Sequence, residues 1–293
     1  MEIPLTVMIA VLVAAVLHAA WNAMLKASPD KVLGNLGQAI ARGVIALAVA
    51  PFLPAPAPAS WPWIAASVVV HIAYFWLLAG AYRWGDLSFT YPVMRGGAPA
   101  IVAVVGVFAF AEVLPWAETL ALVLICGGIL GFASGRHGTD VAHVAHVTHL
   151  AHAAQRRALA FALGNAAVIA CYTLIDARGV RLSGAPISYA LWFFVGNSVV
   201  QVSLGLGERR REVLPYLARH WWQATTGGAF MIGAYGTALW AMTQAPVALV
   251  AALRETSVIF AALLGALFLG EKMTQRRLLA TAFVVAGLIA LRM

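Results

Sequence analysis

The sequence predicts an all-α polytopic membrane protein, ten transmembrane helices arranged as two inverted five-helix repeats. Three observations predict it: the composition, the number and length of the apolar runs, and a phrase that recurs in the second half of the chain. Of the residues, 62% are hydrophobic and only 10% are charged, against about 25% charged in an ordinary soluble domain. A chain of 293 residues cannot fold that much apolar surface away from water, so a bilayer is its expected solvent. Lipid offers backbone polar groups no partner, and runs of roughly 20 residues are much longer than barrel strands, so each span is expected to be a helix.

The spans are read at 4–25, 32–53, 61–82, 88–111 and 116–134, then at 157–177, 186–206, 221–243, 246–269 and 275–291. The first has no basic region before it and no small-residue cleavage site, so it is expected to be retained and not removed as a signal peptide. "KASPDK" at 26–31 leads to the second span, "PAPAPAS" at 54–60 to the third, and "RWGD" at 83–86 to the fourth, which holds Arg95 and closes in Glu112. The fifth ends at 134, and residues 135–156 form the one connection long enough to be a linker, dividing the chain into 1–134 and 157–293. The sixth span carries Asp176 near its end, "LGERRRE" at 206–212 joins the seventh to the eighth, and the ninth contains Arg254 and Glu255. Trp61, Trp63, Trp116, Trp221 and Trp222 stand at span ends, as an interfacial aromatic belt requires. Cys126 and Cys171 fall inside spans and are expected to be buried small hydrophobes.

The formal net charge of +8 would point to nucleic acid in a soluble protein, but its distribution explains it otherwise. Thirteen Lys and Arg residues fall in the 1–2, 3–4, 5–6, 7–8 and 9–10 loops, against Arg178, Arg181 and Arg292 on the other side. The positive-inside rule then places the basic loops in the cytoplasm and both termini outside, in the periplasm of a bacterial inner membrane. No nucleic-acid partner is expected; the lipid bilayer is.

"RGGAPAIVAVVGVFAFAE" at 95–112 is echoed by "RETSVIFAALLGALFLGE" at 254–271, an offset of 159 residues that pairs Arg95 with Arg254 and Glu112 with Glu271. The same offset pairs Leu120 with Leu279, Ala121 with Ala280, and Gly128 with Gly287. A weaker echo links "AAVLHAAW" at 14–21 to "AAVIACYT" at 166–173. Five spans per half is an odd number, so the second half enters the membrane upside down, a build shared by many transporters.

On these phrases the chain resembles the drug/metabolite transporter superfamily, and within it the ten-span bacterial exporters made of two EamA domains, nearest to the amino-acid exporters, the aromatic amino-acid exporter among them. The resemblance implies a basket of ten helices, with spans 1, 3, 4, 6, 8 and 9 around a central cavity and spans 5 and 10 outside it. It implies export of an amino acid or related small metabolite by alternating access, without a cofactor and by a single chain. A broad drug or nucleotide-sugar-type carrier is the alternative, and a membrane sensor or assembly protein a third reading. The four-span multidrug members hold a glutamate in the first span, whereas this first span has no acid after Glu2. Their proton-exchange mechanism therefore does not carry over.

Ionisable residues within a membrane are costly and are the first candidates for function. Here they are His18, Arg42, His71, Arg95, Arg254 and Glu255, with Asp176 near the end of its span. His18, Trp21, Asn22 and Leu25 share one side of span 1, and His71, Tyr74, Leu78 and Tyr82 form a similar stripe on span 3. Tyr91 and Arg95 on span 4, Asn165 and Tyr172 on span 6, and Tyr235 on span 8 extend the set. Rings supply contact area and a few polar groups fix orientation, which suits a small amphipathic solute. His71 is either a hydrogen-bonded brace or part of the pathway. Arg95 and Arg254 either meet a substrate carboxylate or are satisfied by protein acceptors; Arg254, flanked by Glu255, Thr256 and Ser257, is the stronger candidate of the two. Inversion is expected to put the two arginines at opposite depths, and helical spacing to give Arg254 and Glu255 different partners. Glu112 and Glu271 end their helices and read as architectural. His143, His146, His149 and His152 recur every third residue in the linker; such density can bind metal, but the period drifts around a helix and no cysteine joins, so a tether is expected. An intramembrane metalloenzyme on His18 and His71 lacks HExxH spacing, and no enzymatic activity is expected.

The charge count makes a direct prediction. Single cysteines introduced near the N-terminus and within 140–150 should be tested with an impermeant thiol reagent on intact spheroplasts; only the first should be labelled, and labelling of the second alone would reverse the orientation.

Overall fold

A computed structural model describes residues 3–85, 87–112, 114–132, 145–269 and 274–291. The described chain is all-α: α1 Leu5–Lys26, α2 Lys31–Val49, α3 Trp61–Trp84, α4 Leu87–Phe110, α5 Trp116–Gly131, α6 Ala145–Ser183, α7 Pro186–Leu206, α8 Arg210–Ala241, α9 Val247–Glu255, α10 Ser257–Leu269 and α11 Gln275–Ala290. Among the described residues, seven helices are long and apolar enough to cross a membrane, and two shorter apolar ones, Trp116–Gly131 and Leu278–Ala290, accompany them. The protein is thus an all-α polytopic membrane protein, and each run read from the sequence has a helix over it.

Three boundaries differ from the sequence reading. Residues 145–156, expected to be linker, are the start of α6, a continuous helix of 39 residues. His146, His149 and His152 therefore lie on its first turns, while His143 lies outside the described residues. The charged stretch after α7 becomes helix from Arg210, with a kink at His220 (φ −123°, ψ 24°) before the apolar part of α8. Val213 and Leu217 stand one turn apart on this piece and pack on Leu33 and Leu36 of α2, which is what holds it helical. The ninth span is broken: α9 ends at Glu255 and α10 begins at Ser257. Thr256 Oγ1 donates to Leu253 O at 2.6 Å and Ile259 N to Thr256 O at 2.9 Å, so side-chain and three-residue bonds replace the regular ladder there. Cys126 is buried, but Cys171 is exposed on the outer face of α6, contrary to expectation. Trp63 likewise packs partly buried against the core, whereas Trp61, Trp116, Trp221 and Trp222 face outward.

The two ends of the bundle are tied differently. At the α1–α2 turn, Asp30 caps α2 by accepting from Val32 N and Leu33 N, each at 3.0 Å, and Arg209 reaches both Asp30 at 2.8 Å and Glu212 at 2.7 Å. The Arg209 guanidinium holds both carboxyls below their usual range. At the other end, Ala111 (φ 53°) stops α4 in the left-handed region and delivers Glu112 to a three-way joint. Glu112 Oε2 accepts from Val247 N, the first residue of α9, at 2.9 Å, and Oε1 accepts from Arg181 Nη2 at 2.7 Å. The acid that the α4 dipole disfavours is stabilised by the positive start of α9. Arg181 also donates to Met242 O at 2.9 Å, closing the end of α8. Glu112 is thus architectural, as expected, but it joins three helices instead of turning one hairpin. Glu271, its counterpart at the 159-residue offset, lies outside the described residues.

α5 and α11 pack on each other outside the rest, and their contact maps onto itself under the 159-residue offset. A Cβ on Gly128 would meet Ala280 O at 2.8 Å and Val284; a Cβ on Gly287 would meet Ala121 O at 2.9 Å and Ile125. Absent side chains are what let the two backbones approach. Gly128→Val or Gly287→Val should therefore destabilise the protein by about 1–3 kcal/mol through overpacking, read as a lower thermal midpoint in detergent. Gly127→Val, with nothing within 4 Å of the added Cβ, should leave the midpoint unchanged.

Candidate functional site

A cavity of about 280 Å³ lies between the helices, and residues of α1, α2, α3, α4, α6, α7, α8 and α9 line it. All the predicted site residues except Glu255 reach its wall: His18, Trp21 and Asn22 from α1, His71, Tyr74 and Tyr82 from α3, Tyr91 and Arg95 from α4, Tyr172 from α6, Tyr235 from α8 and Arg254 from α9. Leu25 and Leu78 join them, while Asn165, fully buried, points its amide at Met94 Sδ at 2.9 Å and takes no part. Leu25, Asn35, Tyr82 and Tyr91 lie nearest the α1–α2 and α3–α4 connections, and Tyr82 is 40% exposed. The cavity therefore opens toward that end of the bundle.

The implied ring of six spans is corrected by the geometry, because α2 and α7 also reach the wall. Arg42 and Asn35 come from α2, and Phe193, Phe194, Asn197 and Gln201 from α7. The signal in the sequence was Arg42, an arginine in the middle of an apolar run; what it lacked was a partner, since Asn197, Ser198 and Gln201 are more than 150 positions away. Arg42 Nε donates to Ser198 Oγ at 3.2 Å and Nη2 to Asn197 Oδ1 at 2.8 Å, with Gln201 Oε1 and Met231 Sδ as further acceptors. Its guanidinium lies 5.6 Å from the Phe194 ring centre.

Rings fill the middle of the wall. His71 lies tilted against Tyr172 with centroids 4.2 Å apart and lies 4.9 Å from Phe193; Tyr235 lies 5.2 Å from Phe193 and 5.7 Å from Phe194. Nδ1 of His71 meets Ser67 O at 2.8 Å; a carbonyl only accepts, so Nδ1 carries the proton. His71 is thus both anchored to its own helix and part of the wall. On the side away from the mouth, Asp176 is fully buried and accepts from Ser67 Oγ at 2.9 Å, from Tyr189 OH at 3.0 Å and from Tyr235 OH. Tyr235 connects this buried carboxylate to the cavity.

Arg95 and Arg254 do not lie apart. Arg95 Nη1 donates to both oxygens of Glu255, and Arg254 Nη2 to Oε1, each at 3.2 Å. The expectation of opposite depths and of separate partners for Arg254 and Glu255 is thereby overturned. Adjacent helical residues do diverge at Cβ, but a guanidinium on a long stem can curl back past that angle, and the α9 ladder ends at this residue. Glu255 is 1% exposed and stands behind the cavity wall.

Residues 156–293 match the model of the EamA-like transporter family, which supports the resemblance read from the sequence over the second half of the chain. No curated protein matches. A solved structure called "Crystal structure of protein" is similar to this chain with a TM-score of 0.71 at 15% identity, covering 97% of this chain and 94% of that chain. That likeness shows a shared fold.

Glu255→Gln should be the most damaging change in this group, because it leaves two buried guanidinium groups without their counter-charge. A loss of about 3–5 kcal/mol is expected from breaking such a pair on one side. Arg95→Gln should cost less, since Arg254 still balances Glu255. Thermal midpoints of the purified variants decide it: equal midpoints for the two would remove Glu255 as the shared counter-ion.

Proposed function

We propose that the chain is an inner-membrane carrier that moves amino acids or similar small metabolites outward by alternating access. The single observation that carries this reading is the cavity: lined by residues of eight helices, walled by rings interleaved with hydrogen-bonding groups, and reaching toward the α1–α2 and α3–α4 connections. The match of residues 156–293 to a transporter family supports it. With the basic loops in the cytoplasm, the mouth beside α1–α2 and α3–α4 faces inward, the state in which an exporter loads. The Glu112–Arg181–Val247 joint then closes the outer end, and opening it while the inner end shuts is the exchange alternating access requires.

Size favours a small metabolite over a nucleotide-sugar. The volume of about 280 Å³ sits just below the roughly 300–1,000 Å³ of pockets for drug-sized ligands. The wall holds no Asp or Glu among the described residues, and the carboxylates behind it, Glu255 and Asp176, are already held by Arg95, Arg254 and three hydroxyls; this favours movement down the substrate gradient over proton coupling.

Purified protein in sealed liposomes, preloaded with one unlabelled amino acid, should exchange it for the labelled compound without a pH gradient. Exchange of nucleotide-sugars but not of amino acids would favour the alternative carrier; no exchange of any solute would remove transport. A strict need for a proton gradient would overturn the facilitated mechanism.

A further inference from the structure

The wall of the central cavity is chemically one-sided. It carries the guanidinium groups of Arg42, Arg95 and Arg254 and two imidazoles, and no carboxylate among the described residues. Arg95 and Arg254 are balanced from behind by Glu255. Arg42 is not. It is 3% exposed, and its partners among the described residues, Asn197, Ser198, Gln201 and Met231, are all neutral. A buried charge without a counter-charge is costly, and an anion entering beside it relieves that cost.

Asn197 gives a second, independent observation. Its Oδ1 accepts from Arg42, and because a guanidinium only donates, the orientation of the amide is fixed and Nδ2 is a donor. That Nδ2 is buried without a partner. Two other buried atoms on the wall are unpartnered, His18 Nε2 and Arg254 Nε. His18 Nδ1 accepts from the Trp21 indole N–H at 3.4 Å, so the neutral ring carries its proton on Nε2; Arg254 Nε always carries one. Among the described residues, the unpartnered buried side-chain atoms of the wall residues are therefore all donors, and a ligand that suits this wall brings acceptors. Beside Arg42 stands the Phe194 ring, ready for an apolar body.

We infer that the cavity recognises a small organic anion by its carboxylate, anchored on Arg42 and Asn197, and offers no carboxylate to a substrate's ammonium group. This rests on the cavity being the transport site proposed above, and it divides the amino-acid reading in two: the carboxylate is read and the amine is dispensable.

The probes are 3-phenylpropanoate, phenylalanine and phenylalaninamide, and the measurement is equilibrium binding to the purified full chain in detergent. The first two should bind and the amide should not. Asn197→Asp keeps the size of the side chain and its bond from Arg42 but neutralises the charge in place and removes the spare donor. It should weaken 3-phenylpropanoate by about tenfold or more without lowering the thermal midpoint; Arg42→Gln should do the same to binding. Wild-type binding in Asn197→Asp, a wild type that prefers the amide, or one that binds none of the three overturns the inference. Flux in liposomes is read separately: 3-phenylpropanoate that binds through Arg42, with no flux of any solute, supports the anion site and removes the transport reading, whereas flux of phenylalanine that Asn197→Asp does not change removes the anion site and leaves transport standing.

Discussion

Two guanidinium groups converge on one buried carboxylate at the heart of the bundle, and the arrangement around the cavity follows from that pairing. Glu255 is the last residue of α9, Arg95 comes from α4 and Arg254 from α9 itself. In a low-dielectric interior none of the three is tolerable alone. The pairing brings α4 against α9, and the antiparallel approach of the same two helices sets Glu112 at the end of α4 onto the first amide of α9. One ion cluster and one cap, at two heights on a single helix pair, thus fix how the fourth and ninth spans meet.

The break at Thr256 belongs to the same constraint. Had the helix run on without interruption, the residues after Glu255 would continue its ladder; instead the chain turns, and Ser257 Oγ is left buried without a partner. Breaks of this kind are tolerated in a membrane only where protein surrounds the freed groups, and Thr256 is 1% exposed. Asp176 is handled by another means. No cation lies within salt-bridge reach of it among the described residues, and three hydroxyls do the work of a counter-charge. Glu255 and Asp176 are therefore stabilised in different ways, one by charge and one by hydrogen bonds alone.

How much of this was legible in the sequence depends on the range of the interaction. Apolar run length is a local property, and it located every helix. The face of a helix is nearly as local, and the stripes of His18, Trp21 and Asn22 and of His71, Tyr74 and Tyr82 do meet in one cavity. What escaped were choices made by tertiary contact: α2 and α7 entering the wall, the packing of Val213 and Leu217 on α2 that extends α8, and the reach of Arg254 back to its neighbour. Asp176 was visible as an acid in an apolar run, but its hydroxyl partners on α3, α7 and α8 were not, because Ser and Tyr are ordinary residues until something charged is placed against them.

The crossing of α5 and α11 has a consequence for how this sequence can change over time. Gly128 lies against the backbone at Ala280, and Gly287 against the backbone at Ala121, so the same pair of positions occurs twice in a single contact. A side chain admitted in one copy widens a gap that the other copy must then fill. The two stretches, although far apart along the chain, are therefore not free to drift independently at this point; a mutation in either is judged against the sequence of both.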